Sequence, residues 1–149
     1  MLPTKLQQIV DLFAALGEEE RRENLIAYAS QSSRCGPRDG ETFDLEDVRK
    51  DEECTDTVGV FLRLEDGRVT FRVTLGDKVQ TLTKAMTAIL CRGLEGCTLD
   101  QVLELPSDFV PQIVGGQLVR IRSQTVFYVL GRMKGACQVL RNRLRAAAH

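Results

Sequence analysis

Five cysteines and one histidine bound the chemistry open to this chain. The cysteines are Cys35, Cys54, Cys91, Cys97 and Cys137, and the histidine is His149, at the last position. Cys-His and Ser-His-Asp arrangements need an imidazole held by packing, and a chain end frays too readily to hold one. The same reasoning removes histidine ligands from a zinc site. No two cysteines have C-x-x-C spacing, and Cys91 and Cys97 stand six apart. Met1–Leu16 lacks the layout of a secretion leader, so an odd cysteine count points to reduced thiols in a reducing compartment. A free cysteine usually serves as a small buried hydrophobe. That is the expectation for Cys91 and Cys137, with Cys35 and Cys97 left open. A displayed thiol is the best reagent that remains.

Cys54 is the candidate for that role. It lies in Glu52-Glu53-Cys54-Thr55-Asp56-Thr57-Val58, four residues ahead of a strand pattern. A loop at a strand start can present a thiol to another protein, whereas a strand interior would lock it into packing. The reactive species is the thiolate, and Glu52, Glu53 and Asp56 disfavour a further negative charge beside them. Cys54 is therefore not a self-activated hydrolytic nucleophile. It suits a thiol made competent when a partner or a basic group offsets the local field.

The elements that must position it follow from periodicity. Leu6, Ile9, Leu12, Phe13 and Leu16 form one helical face within Leu2–Leu16, with Pro3 suited to a first turn. After Gly17, the acidic Glu18–Glu20 opens a second helix, to about Ala29, that should bury Leu25, Ile26 and Tyr28. Residues 30–40 read as a loop, and the acidic stretch 39–56 as a solvated surface loop. Alternation in Val58–Leu64 and Val69–Leu75 around Glu65-Asp66-Gly67 predicts a hairpin. Leu82, Ala85, Met86, Ile89 and Leu90 predict a helix over Thr81–Leu94. Thr98 caps a short helix, Ser107-Asp108 starts another, and Val114-Gly115-Gly116 reads as a loop. A last helix runs from Arg122 to about Arg145 with an apolar stripe from Val126 to Leu144.

At 149 residues, 43% hydrophobic and 28% charged, the chain has the length of one domain, 1–149, able to bury its own core. A net charge of −1 argues against a general nucleic-acid binder. No apolar run approaches the roughly 18 residues of a membrane span. The charge is uneven: no acid follows Asp108, while Arg120, Arg122, Arg132, Lys134, Arg141, Arg143 and Arg145 do. Helices before and after a single hairpin make the class α+β.

These segments, taken in order, resemble the SufE family of sulfur acceptors for cysteine desulfurases. Leu6–Phe13 with Arg22, Leu25, Ile26 and Tyr28 is similar to the family's two N-terminal helices. Cys54-x-x-x-Val58 resembles its Gly-Cys-x-Ser-x-Val-Trp motif. Leu82–Leu90 with Arg92–Gly96, Pro106–Phe109, and Arg122-Ser123-Gln124 resemble its later segments. The resemblance implies a SufE/IscU-like fold, with a small antiparallel sheet built on the hairpin and packed by helices from both ends of the chain. It also implies a sulfur-transfer accessory protein rather than an enzyme, without cofactor or metal. Cys54 would take persulfide sulfur from a pyridoxal-phosphate-dependent desulfurase, stimulate that enzyme, and pass the sulfur to an iron–sulfur scaffold complex. The family arginine falls on Arg122, as a stabiliser of the thiolate or persulfide. The nearest acid to the family's Ser-Asp before the central helix is Asp77. The implied setting is the cytoplasm, or an organellar stroma or matrix, with the protein a monomer or weak dimer.

The chain departs from the pattern around the cysteine. Glu53 replaces the motif glycine, Asp56 the serine, Gly59 the tryptophan, and Gln124-Thr125 the family's Asn-Gly. These departures keep open a SufE-like interaction module that binds or regulates a desulfurase or scaffold without carrying sulfur. A third reading is a metal or cluster scaffold built on Cys54, Cys91 and Cys97. The absence of C-x-x-C and of an internal histidine counts against it.

Overall fold

The alternating segments of the chain form a hairpin whose register buries one face. A computed structural model describes residues 2–48 and 57–148. Strand β2 (Val58–Glu65) pairs antiparallel with β3 (Arg68–Leu75), setting Val60 opposite Val73, Leu62 opposite Phe71 and Leu64 opposite Val69. Asp66 and Gly67 turn the chain at φ 54° and 75°. That pair of left-handed residues gives a two-residue turn the twist of its strands.

The acidic stretch is not simply a solvated loop. Leu45–Val48 forms β1, antiparallel to β2 with Leu45 opposite Leu62 and Val48 opposite Gly59. Leu45 is buried. Just before it, the Asp44 N–H donates to the Leu62 carbonyl at 2.9 Å, and the Asp44 carboxylate accepts from the Leu64 N–H at 2.7 Å. Asp39, Asp44 and Glu46 are exposed, as composition suggests, but Asp44 also bonds the sheet, which composition does not reveal. Among the described residues the sheet has three strands in the order β1-β2-β3.

Helices α1 (Thr4–Ala14), α2 (Glu18–Gln31) and α3 (Thr81–Gly93) pack together, and α3 also meets α7 (Ser123–Ala147). The loop expected over residues 30–40 starts only at Gly36; before it come the end of α2 and a 3-10 turn, Ser32–Cys35. Ser30 and Ser32 donate their hydroxyls to the carbonyls of Ala27 and Ala29, which lets both serines stay within helical backbone. In α2 the buried stripe is Leu25, Tyr28, Ala29 and then Ser32. Ile26 falls beside it and is 54% exposed, against expectation. Thr98 and Gln101 form a reciprocal capping box on α4 (Leu99–Glu104). The expected loop at Val114-Gly115-Gly116 shrinks to a break at Gly115, φ 89°, between α5 (Phe109–Val114) and an unforeseen short helix, α6 (Gly116–Ile121). The stripe of α7 is buried from Val126 to Leu140, while Leu144 is exposed.

The architecture is α+β, as the element order predicted. One cluster of buried side chains runs from Leu6 through the hairpin and α3 to Leu140. No described helix is long and apolar enough to cross a membrane.

Candidate functional site

Cys54 lies outside the described residues, as do Glu52, Glu53 and Asp56. The strands on either side of its segment are described. The chain leaves β1 at Val48, opposite Gly59, and enters β2 at Val58, opposite Leu75. Segment 49–56 therefore joins two paired strands at one end of the sheet. Thr57 extends that end, its carbonyl accepting the Gly76 N–H at 2.9 Å.

Asp77 follows directly, so the structure places it at the same sheet end. It is exposed, and with Gly76 and Lys84 it lines a cavity of about 440 Å³ that also touches Ser33 and Gly36. Arg122 is exposed at the start of α7. Its N–H bonds to the Leu118 carbonyl at 2.7 Å, and its own carbonyl accepts from the Val126 N–H at 3.0 Å.

A different arginine reaches β1. Arg132, on α7, is 5% exposed and donates to the Asp47 carboxylate at 3.2 Å, the Asp47 carbonyl at 2.8 Å and the Tyr128 hydroxyl at 3.0 Å. Its guanidinium also sits 5.7 Å from the Tyr128 ring centroid. Asp47 precedes Val48, so this fork fixes the strand where segment 49–56 departs. Planar guanidinium geometry suits such simultaneous bonds. Sequence reasoning counted Arg132 only as part of a basic end. The available signal was its spacing: it stands in the stripe of Val129, Met133 and Ala136, where a lone charge requires a partner.

Gly59 gives the local departure from the family motif a physical meaning. A Cβ there would lie 2.4 Å from Thr74 Oγ1, 3.3 Å from a Val48 methyl and 3.4 Å from the Phe61 ring. Side chains of the two facing residues, Thr74 and Val48, and of Phe61 on the same strand border the space into which a side chain at this position would grow.

The outer sheet face is held by Glu41. Its carboxylate accepts from Arg63 at 2.7 Å and Arg72 at 3.0 Å, and from the Arg38 N–H at 2.8 Å. The Arg72 bond, followed by those from Arg38 and Arg63, holds its pKa at about 2.

The described cysteines are free thiols that fall into two groups. Cys97 and Cys137 are buried. Burial raises both; for Cys137, burial and then the nearby Cys97 bring it to about 12. Cys35 and Cys91 are partly buried and interact with each other. Cys91 and Cys97 thus belong to different neighbourhoods. Among the described residues no group of three or more cysteine, histidine or acidic side chains could hold a metal ion.

The fold belongs to a known α+β class. It matches the N-terminal part of a NifU-like protein from Brucella abortus, covering 80% of this chain and 92% of that one, with TM-score 0.60 and 17% identity. A solution structure of a hypothetical protein from Thermus thermophilus matches over 95% of this chain and 99% of the other, with TM-score 0.69 and 26% identity. Residues 7–137 match the SufE family model, described as an Fe-S metabolism associated domain. This chain belongs to the SufE family. An uncharacterized SufE-like protein of Synechocystis sp. strain PCC 6803 is 28% identical over 109 residues, which span 73% of this chain and 64% of that protein.

Proposed function

We propose that this protein accepts persulfide sulfur on Cys54 from a pyridoxal-phosphate-dependent cysteine desulfurase, stimulating that enzyme, and passes the sulfur into iron–sulfur cluster assembly. Family membership supports the association with iron–sulfur metabolism. The observation that carries the finer reading is the pinned connection: segment 49–56 runs between paired strands, and Arg132 anchors the strand it leaves. The residues that flank the thiol segment on both sides, Val48 and Val58, are thereby held in the sheet.

The transfer needs no resident cofactor. The Cys54 thiolate attacks the outer sulfur of the desulfurase persulfide, a new S–S bond forms on Cys54, and the desulfurase cysteine leaves as a thiolate. Arg122 is assigned to favouring the Cys54 thiolate or persulfide by charge, and Asp77 to the acidic position beside the central helix. Release to an iron–sulfur scaffold repeats the exchange with an acceptor thiolate. The chemistry suits a reducing compartment such as the cytoplasm, a stroma or a matrix.

The test mixes reduced protein with a desulfurase and cysteine without added reductant, then reads intact mass. One added sulfur atom on the wild type and none on Cys54→Ser supports the reading. Unchanged mass with several desulfurases refutes it. A second reading, a module that docks on a desulfurase or scaffold without carrying sulfur, is favoured by Gly59 in place of the motif tryptophan, where any Cβ would force the Thr74 side chain to move. It predicts that Cys54→Ser still binds and stimulates the partner.

A further inference from the structure

Three elements converge on a second thiol site away from segment 49–56. Cys35 ends the 3-10 turn that follows α2, and that turn packs against both α3, which carries Cys91, and β3, which carries Arg72. Cys35 and Cys91 perturb each other's ionisation, which requires the two thiols to be neighbours, and Cys35 Sγ donates to the Gln31 carbonyl at 3.8 Å. Both cysteines pack against the edge of the core and are reduced. Ser33 and Gly36, on either side of Cys35, line the open cavity of about 440 Å³. Cys97 and Cys137 are buried at 4% and 0% exposure, whereas Cys35 and Cys91 are only partly buried.

We propose that Cys35 and Cys91 form a reversible dithiol–disulfide couple, oxidised by hydrogen peroxide and independent of sulfur carried on Cys54. The pair is polarised for this. Hydrogen bonding with Cys91, then the charge of Arg72, lowers the Cys35 pKa despite partial burial. The same hydrogen bond and desolvation push Cys91 up. Cys35 is the attacking thiolate and Cys91 the resolving thiol. In the first step Cys35 attacks peroxide: an S–O bond forms, the O–O bond breaks, and hydroxide leaves, taking the proton Cys35 gave up on ionising. In the second, Cys91 attacks the resulting sulfenic sulfur. An S–S bond forms, the S–O bond breaks, and the Cys91 proton leaves with the hydroxide as water. Two thiols lose two electrons and one peroxide becomes two waters.

The experiment uses the full-length Cys54→Ser protein, so that its outcome is separate from that of the sulfur-carrier reading. Reduced protein is treated with hydrogen peroxide, alkylated, digested and mapped by mass spectrometry. A Cys35–Cys91 linked peptide that dithiothreitol abolishes is expected. Adding Cys35→Ser should slow oxidation of Cys91 roughly tenfold or more. Adding Cys91→Ser should leave a Cys35 sulfenic acid that dimedone traps. Circular dichroism of each variant confirms folding. Recovery of alkylated Cys35 and Cys91 after peroxide, or a linkage that uses any other cysteine, overturns the proposal. A Cys91 that oxidises as fast without Cys35 does the same, and an unlabelled Cys35 in the Cys91→Ser protein overturns its assignment as the attacking thiol.

Discussion

Glu41 holds two arginines of adjacent strands with one carboxylate, and this makes it a pH-dependent element of stability. Its folded pKa of about 2 lies below the ordinary 4.5. A depressed carboxylate pKa contributes stability that is present above the unfolded value and is lost as pH falls through the folded one. Wild type should therefore lose stability between about pH 5 and pH 2 more steeply than Glu41→Gln. Urea midpoints measured across that window check this, and equal slopes would contradict it. Cys137 behaves with the opposite sign. Its thiol is raised to about 12 by burial, so its contribution is intact below the ordinary thiol range and is lost as pH climbs toward 12. At pH 8, alkylation kinetics should show, among the four described cysteines, Cys35 modified first and Cys137 last. An early Cys137 adduct in folded protein would refute the assigned burial.

At the scale of elements, α7 is a brace for the sheet as well as a core helix. Arg132 ties it to β1, Lys134 donates to the Leu105 carbonyl, and Arg141 meets Asp100 of α4 at 2.5 Å. Removing one partner of a buried pair leaves the other uncompensated, a cost of about 3–5 kcal/mol when both are fully buried. The Asp47 side chain is 26% exposed, so Arg132→Met should cost less, about 2 kcal/mol. Arg132→Lys should recover part of this, because one ammonium cannot reproduce the three-way fork. Hydrogen exchange should localise the loss to amides of β1 and the facing half of β2. A uniform change, or none, would remove Arg132 from its role as anchor. If the anchor also serves sulfur transfer, sulfur loading of Arg132→Lys should fall relative to its residual stability.

For the whole molecule, one cluster of buried residues links α1, the sheet, α3 and α7, so unfolding is expected in a single transition. Circular dichroism and Tyr28/Tyr128 fluorescence should give coincident urea curves, and two separated transitions would contradict a shared core. Charge also resolves at this scale. Glu41, Asp47 and Asp100 pair with Arg63, Arg72, Arg132 and Arg141 within the fold, and Asp44 accepts from the Leu64 backbone N–H. Arg143 and Arg145 are exposed. Arg143→Gln with Arg145→Gln should change stability by less than about 0.5 kcal/mol, whereas Arg132→Met does not stay within that limit.

Local pattern by itself determined the hairpin, its turn, the Thr98 cap and most of the buried stripes of α1, α3 and α7, Leu12 of α1 and Leu144 of α7 being exposed. Each rests on a period of 2 or 3.6 and on the conformational preferences of a few residues. It also pointed to Cys54 and to the SufE family. Tertiary structure decided what periodicity cannot carry. The strand Leu45–Val48 is four residues long and largely acidic, and it exists because β2 supplies hydrogen-bond partners and Arg132 neutralises Asp47. Cys35 and Cys91 are 56 positions apart, and their meeting depends on how a 3-10 turn packs on α3. Pairings between distant positions come from packing, and a single sequence does not display them because no local interaction reports them.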